Sequence, residues 1–133
     1  MLRLEIVTPE RRVVDIEAES VTVPTASGEA GILTNHAPLI SALKPGVLTY
    51  VSKGGAEKLA VSSGFVEVSS NQVSVLTDVA ESAEEVNAEQ ARADREEAEK
   101  ELSANLATAA DENDSIRERV DLANARLSLV AGR

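Results

Sequence analysis

Residues 27–38 read SGEAGILTNHAP, and the interpretation of the whole chain starts from this stretch. It holds two glycines, one acid, the only histidine of the chain and a proline, and strand-like runs lie on both sides of it. Gly28 and Gly31 can adopt positive φ without steric cost, and Pro38 fixes its own φ. These features predict a shaped surface loop with Glu29 at its tip, a kind of segment that often carries intermolecular contacts.

Outward from this stretch, apolar residues recur with a period of two as far as about Asp78. Residues 2–6 show the pattern, since three apolar side chains alternate with Arg3 and Glu5. Turn signals separate such runs about every 8–12 residues, which is typical of a sandwich or barrel. The predicted turns are residues 8–11, residues 53–56, where two glycines would take positive φ, and residues 69–72.

Beyond Ala80 the pattern becomes helical. Residues 81–101 are rich in good helix formers, and Ala91, Ala98, Leu102 and Ala109 would share one face. We predict a break at residues 111–114 and a second helix that starts with a capping box at residues 115–118. Its apolar stripe would consist of Ile116, Val120, Ala123, Leu127 and Val130.

The two helices would form an antiparallel hairpin, because a short polar loop joins them. The first apolar face is mostly alanine and buries little area. At roughly 25 cal/mol per Å², the hairpin should be held weakly, which would leave it free to detach and extend. The predicted domains are a β-sandwich over residues 1–83 and a helical hairpin over residues 84–133.

Composition excludes several classes of function. The chain of 133 residues has no cysteine, so disulfides and thiolate metal sites are absent, and its net charge of −10 argues against nucleic acid and anionic lipid. No apolar run approaches the roughly 20 residues of a membrane span, and the alternating start predicts a strand rather than a targeting peptide. Residues 1–80 carry a net charge of −3, and residues 81–133 carry −7.

Catalysis has little support in the sequence. His36 has no second histidine and no cysteine to form a constellation, so it is interpreted as a loop histidine bonded to backbone or as a contact residue. The two glycines at positions 28 and 31 lack the Gly-Lys-Ser/Thr ending of a phosphate-binding loop. We therefore expect a non-catalytic chain without cofactor or metal.

Three motifs together resemble a known family. Residues 27–39 (SGEAGILTNHAPL), 44–46 (KPG) and 63–68 (SGFVEV) resemble the epsilon subunit of the proton-translocating F-type ATP synthase, and the resemblance extends over the whole chain. It implies an all-β sandwich of about ten strands in two sheets, followed by an antiparallel two-helix hairpin. It also implies a central-stalk rotor subunit that couples the c-subunit ring to the gamma subunit, peripherally attached at the cytoplasmic face of a bacterial plasma membrane.

The resemblance also implies contact residues. Glu29, with Ala30 and Gly31, would meet the polar loops of the c ring. Thr8, His36 and Ser41 would face the gamma subunit. The C-terminal helices would meet the alpha and beta subunits, and could inhibit ATP hydrolysis there.

Some bacterial members of the family bind ATP at the start of the first helix, and this chain has a degenerate form of that site. The positions are Glu81, Asn87, Gln90, Ala91 and Arg126. Asn87 replaces an aspartate, Gln90 replaces an arginine, and Glu97 and Leu122 occupy two further arginine positions, so most charge-assisted bonding to a triphosphate is lost. Asn87 and Gln90 fit a helix cap better, with Asn at the N-cap and Gln at the third helical position. The alternative function is a regulatory subunit that senses ATP at the hairpin.

Overall fold

The computed structural model describes residues 1–104 and 110–131, which form ten strands, one short 3-10 turn and two α-helices. The strands are β1 Leu2–Val7, β2 Arg12–Ala18, β3 Ser20–Thr25, β4 Gly28–Leu33, β5 Leu39–Leu43, β6 Gly46–Ser52, β7 Gly55–Val61, β8 Gly64–Ser69, β9 Gln72–Thr77 and β10 Ala80–Glu81. The 3-10 turn is Ala83–Glu85, and the helices are α1 Ala88–Ala104 and α2 Ala110–Ala131.

The ten strands belong to one continuous hydrogen-bonded sheet that folds over itself. Its order is β10-β7-β6-β3-β5-β8-β9-β1-β2, and β4 pairs with β3 beside this path. The fold occurs at β3, whose first residues pair with β6 while Thr25 pairs with Leu43 of β5. Two layers result, which confirms the predicted sandwich of about ten strands followed by two helices.

The core between the layers is aliphatic, as the sequence predicts. Leu2, Leu4 and Ile6 of β1 are fully buried, and buried valines from the facing strands complete the cluster. Tyr50 is half-buried against this core, whereas Phe65 is exposed. The period of two has therefore placed the apolar side chains of β1 on one face, which is the physical origin of the sandwich.

The stretch 27–38 is not the loop that its glycines predict. Residues 28–33 form β4, which pairs along its full length with β3, and Ile32 is fully buried. Gly28 does adopt a φ of +115°, but Gly31 has ordinary strand geometry. The prediction was wrong because glycine permits a turn without preventing pairing, and burial of Ile32 favours the strand.

Two other turns differ in detail from the prediction. In the β6–β7 hairpin Ser52 pairs with Gly55, so residues 53 and 54 make the turn and only Gly55 has positive φ. The turn with positive φ at both central residues is instead Ser70–Asn71 between β8 and β9. Asparagine tolerates this geometry because its short polar side chain costs little in the left-handed region.

The second helix begins earlier than predicted. Residues 111–114 lie inside α2, so Ser115 is within the helix and no capping box starts there. The prediction of a break here was wrong, because the preference of Asp and Asn for caps and turns is weak and a helix can include them. Residues 105–109, including the predicted face residue Ala109, lie outside the described part of the chain.

The hairpin is docked on the sandwich through a small apolar cluster. Ala60 of β7 and Val86 pack with Ala125 and Leu129 of α2, and all four are buried. Of the predicted stripe on α2, Ala123 is buried and the other four residues are half-buried. The stripe was incomplete, because Ala125 and Leu129 form a second buried face that only the docking creates. No described helix combines the length and apolar composition needed to cross a bilayer.

Candidate interaction surfaces

The tip surface, defined as Glu29, Ala30 and Gly31, lies on β4 directly after the β3–β4 turn. Thr25 stabilises this turn, since its hydroxyl donates to the carbonyl of Gly28 at 2.5 Å and accepts the N–H of Ser27 at 3.3 Å. Glu29 pairs with Pro24 in the sheet register, and its side chain is exposed. The carboxylate of Glu29 is therefore exposed at the edge of the sandwich, on a short hairpin whose turn is held by hydrogen bonds.

The outer apolar face covers one layer of the sandwich. It is defined as Val7, Ile40, Ala42, Phe65 and Leu76. Four of them form one cross-strand row, because Ala42 pairs with Phe65, Phe65 with Leu76, and Leu76 with Val7. Ile40, Phe65 and Leu76 are 76%, 61% and 55% exposed. A contiguous exposed apolar patch on a sheet marks an interaction site.

The resemblance assigns three residues to the gamma contact, and they lie at separate places along this same layer. Thr8 follows β1, is buried, and donates its hydroxyl to the carbonyl of Arg11 at 3.2 Å. Ser41 lies on β5 opposite Val66, on the inward side, and is half-buried. His36 lies in the turn before β5, so the three positions are spread along the sheet.

His36 makes the backbone contacts predicted for a loop histidine. Its N–H donates to the carbonyl of Leu33 at 3.1 Å, and its Nδ1–H donates to the carbonyl of Ala37 at 2.6 Å. The preceding Asn35 has positive φ and donates its N–H to the side-chain oxygen of Asn71 at 2.6 Å. This turn is thereby fixed to the β8–β9 turn. No group of three metal-ligating side chains converges in the residues that the structure describes.

Two positions of the degenerate nucleotide site, Glu81 and Arg126, contact each other, and a third, Gln90, is linked to Arg126 through Asp94. The Nε of Arg126 donates to Oε1 of Glu81 at 2.6 Å, and one of its terminal nitrogens lies 4.0 Å from Oδ2 of Asp94. Asp94 in turn accepts a hydrogen bond from the Gln90 side chain at 2.9 Å. We call Glu81, Asp94 and Arg126 the Arg126 cluster. Two carboxylates already surround the guanidinium.

Asn87 forms the predicted helix cap. Its side-chain oxygen accepts the backbone N–H of Gln90 at 3.0 Å, and its carbonyl accepts the N–H of Ala91 at 3.0 Å. The Gln90 side chain does not turn back to Asn87 but reaches forward to Asp94, so the cap is one-sided. Ala91 is buried between the helix and its neighbours.

Outside the surfaces described above, the pKa values of Glu85 and Tyr50 are shifted from their usual values. Hydrogen bonding from the backbone N–H of Ser82, assisted by Ser82 Oγ and by Arg11 at 2.8 Å, lowers the pKa of the Glu85 carboxyl. Burial, and to a smaller extent the carboxylate of Glu57 opposite in the sheet, raises the pKa of the Tyr50 phenol. Neither group is part of a catalytic constellation.

Sequence reasoning missed two parts of these surfaces. The outer apolar face has a local signal, because Leu39-Ile40, Phe65-Val66 and Val75-Leu76 interrupt strict alternation, as expected for strands covered on both faces. Asp94 has a weaker signal, since it lies four residues after Gln90 on the same helix face. Its approach to Arg126 depends on the docking of two helices.

Comparison with known proteins agrees with this architecture. The family model for the β-sandwich domain of the delta/epsilon chain of ATP synthase matches residues 1–83. This match defines the class as a delta/epsilon-type β-sandwich domain, which two helices follow in this chain.

Two relatives with known names cover nearly the whole chain. The ATP synthase epsilon chain of Desulfitobacterium hafniense strain Y51 is 45% identical over 127 residues, which span 96% of this chain and 87% of that one. The epsilon chain of Anaeromyxobacter dehalogenans strain 2CP-1 is 44% identical over 133 residues, covering 99% and 98%. The chain belongs to the family of ATP synthase epsilon chains.

A solved structure shares the fold. A chain in the Euglena gracilis mitochondrial ATP synthase, in a structure of OSCP, F1 and the c-ring, superposes with a TM-score of 0.78 at 22% identity. The match covers 96% of this chain and 79% of that one. At this identity the likeness supports the fold of sandwich and hairpin together.

Proposed function

We propose that the chain is a non-catalytic rotor subunit of the central stalk, which clamps the gamma subunit to the c-subunit ring. The observation that carries this proposal is the outer apolar face, which leaves Phe65, Leu76 and Ile40 in water on an otherwise well-packed sandwich. A permanent partner on that face would remove this cost, since burying apolar surface stabilises by about 25 cal/mol per Å². The gamma subunit is the proposed partner, because the family resemblance places gamma contacts around this layer.

The tip surface is the proposed contact to the c ring. Glu29 is exposed on the β3–β4 hairpin, and Gly31 leaves open space beside it, so a polar loop can approach the backbone there. A single carboxylate at such a rim sets register and encounter rate more than affinity. Two adhesive surfaces on one stiff body would transmit torque from the ring to gamma. The chain would then lie peripherally at the cytoplasmic face of a bacterial plasma membrane.

The helical hairpin is the proposed regulatory arm. Its apolar contact with the sandwich is small, so release would be inexpensive in free energy, and the freed helices would reach the alpha and beta subunits and inhibit hydrolysis. The alternative of an ATP-sensing hairpin has less support, since Glu81 and Asp94 already surround the one cation of that site.

Substitution of the outer apolar face tests the gamma contact. Phe65→Glu would place a charge in the proposed interface, and we expect about tenfold or more loss of chain co-purifying with gamma. Ala56→Glu is the matched control, because it adds the same charge at an exposed position of β7 in the other layer and should leave recovery unchanged. Recovery of Phe65→Glu at the wild-type level would contradict this interface.

Substitution of the tip tests the contact with the ring. Glu29→Lys should reduce ATP-driven proton pumping in reconstituted membranes while the chain still binds gamma. Glu57→Lys, an equal charge reversal on the exposed part of β7, should pump normally. Normal pumping by Glu29→Lys would count against the role of Glu29.

A further inference from the structure

The Arg126 cluster joins three elements that are separate in the chain. Arg126 lies on α2, Asp94 on α1, and Glu81 on β10 of the sandwich. The side chains are partly shielded from water, with 22% of Arg126, 28% of Glu81 and 39% of Asp94 exposed. A charged hydrogen bond in such a setting is screened less by salt than an exposed surface pair.

The two parts that dock both carry net negative charge. Residues 1–83, which include Glu81, carry a net charge of −4, and residues 84–133 carry −6. Bringing these two parts together is therefore electrostatically unfavourable. The Glu81 and Asp94 carboxylates approach the same guanidinium only when the hairpin is docked. Without Arg126 these two like charges would oppose docking across the interface.

The remaining contacts across the interface are weaker. Arg11 pairs with Glu85 at 2.8 Å, but the two side chains are 55% and 43% exposed. Ser63 donates to Glu118 over 3.5 Å, at the limit of a hydrogen bond. The buried apolar cluster contains two alanines, one valine and one leucine. Arg126 is thus the strongest directional contact between hairpin and sandwich among the described residues.

We propose that Arg126 holds the hairpin docked in the absence of any nucleotide, with Glu81 and Asp94 supplying the negative charge that a bound phosphate would otherwise supply. The guanidinium suits this role because its planar array of N–H donors can serve two carboxylates from different elements at once. Docking is then an intrinsic property of this chain, set by an internal ion pair. This inference concerns the isolated full chain and stands independently of the rotor function.

Distance measurement between two spin labels tests the proposal. The chain has no cysteine, so Lys58→Cys on β7 and Ser128→Cys on α2, which line one crevice between sandwich and hairpin, would carry the only labels. Wild type in this labelled background should give one short distance without nucleotide, and the same distance after addition of millimolar MgATP.

Removal of the ion pair should shift that distance. Arg126→Ala, and separately Glu81→Ala, should raise the ratio of long to short distances by at least about tenfold, as expected for losing a hydrogen bond between charged groups. Glu81→Ala leaves the helix sequence intact, so it separates undocking from damage to α2, and circular dichroism reports the helix content.

Arg117→Ala is the matched control, since it removes the same charge from α2 at an exposed residue whose ion pair to Asp114 is local. It should keep the short distance. Short distances in both Arg126→Ala and Glu81→Ala would overturn the proposal. Shortening or narrowing of the wild-type distance by MgATP would also overturn it, because docking would then depend on nucleotide.

Discussion

The core of the sandwich and the contact between hairpin and sandwich bury very different amounts of apolar surface. Inside the sandwich, leucine, isoleucine and valine side chains from both layers are fully removed from water. Between hairpin and sandwich, the buried cluster consists of only four side chains, two of them alanine, and a charged cluster lies beside them. The difference indicates one rigid body and one arm whose attachment is set by a few residues.

The same comparison bears on the two proposed roles, a rotor body and a regulatory arm. A stiff body is needed to transmit force, and extensive β-branched packing provides it. A releasable arm needs a small interface, because each buried methylene adds to the free energy of docking. Four experiments test this difference between the two regions.

The largest effect is expected in the sandwich core. Leu4→Ala removes a fully buried side chain and should lower the free energy of unfolding by about 3 kcal/mol. Chemical denaturation followed by circular dichroism measures it. Leu33→Ala, at a leucine that is 63% exposed, should change stability by less than about 0.5 kcal/mol. Equal effects of the two substitutions would contradict the assigned core.

A smaller and more local effect is expected at the docking cluster. Leu129→Ala should cost about 2 kcal/mol of docking free energy while the unfolding midpoint of the sandwich stays the same. Hydrogen exchange should accelerate in α2 and at Val86 but not in β1 or β9. If exchange accelerated equally in both regions, the hairpin and sandwich would form one cooperative unit instead of two.

The helix cap should contribute about 1 kcal/mol. Asn87→Ala removes the acceptor for the N–H of Gln90 and should speed exchange in the first turn of α1. Ser128→Ala, at an exposed position inside α2, is the control and should be neutral or slightly stabilising, since alanine favours a helix interior. An unchanged first turn in Asn87→Ala would mean that the cap is dispensable.

The smallest effect is a dependence on pH at the connection between the regions. The backbone N–H of Ser82 and the neighbouring Arg11 hold the pKa of Glu85 below its usual value of 4.5. A carboxyl with a lowered folded-state pKa stabilises the folded form above its unfolded-state pKa, and this contribution is lost as pH falls through the folded-state pKa.

Glu85→Gln should therefore be slightly less stable than wild type at neutral pH, and the two proteins should become equally stable in acid. Thermal unfolding across a pH series measures this. Glu84→Gln, which removes the neighbouring exposed charge, should show no such convergence. A stability difference for Glu85→Gln that persists in acid would mean that packing, not charge, explains it.

Much of the architecture follows from local pattern. The alternation in residues 2–6 predicts the buried face of β1, and the change to helix formers after Ala80 predicts the two helices. The Asn87 cap is equally local, since a side chain and an N–H three residues apart decide it. The contact residues Glu29, Thr8, His36 and Ser41 came from resemblance and stay predictions.

Other features could not be read from the chain in order. The stretch 28–33 looked like a loop because its own residues permit turns, and only pairing with β3 makes it a strand. Likewise, residues 111–114 looked like a break because Asp and Asn favour caps and turns, yet they lie inside α2.

By itself, then, the sequence determined which side chains share a face and what charge each region carries, because the periods of strand and helix act over a few residues. Tertiary structure alone decided which faces are covered. It left Phe65 and Leu76 in water, and it brought Arg126 to Glu81, 45 positions away. Such encounters depend on the path of the whole chain, so no local pattern specifies them.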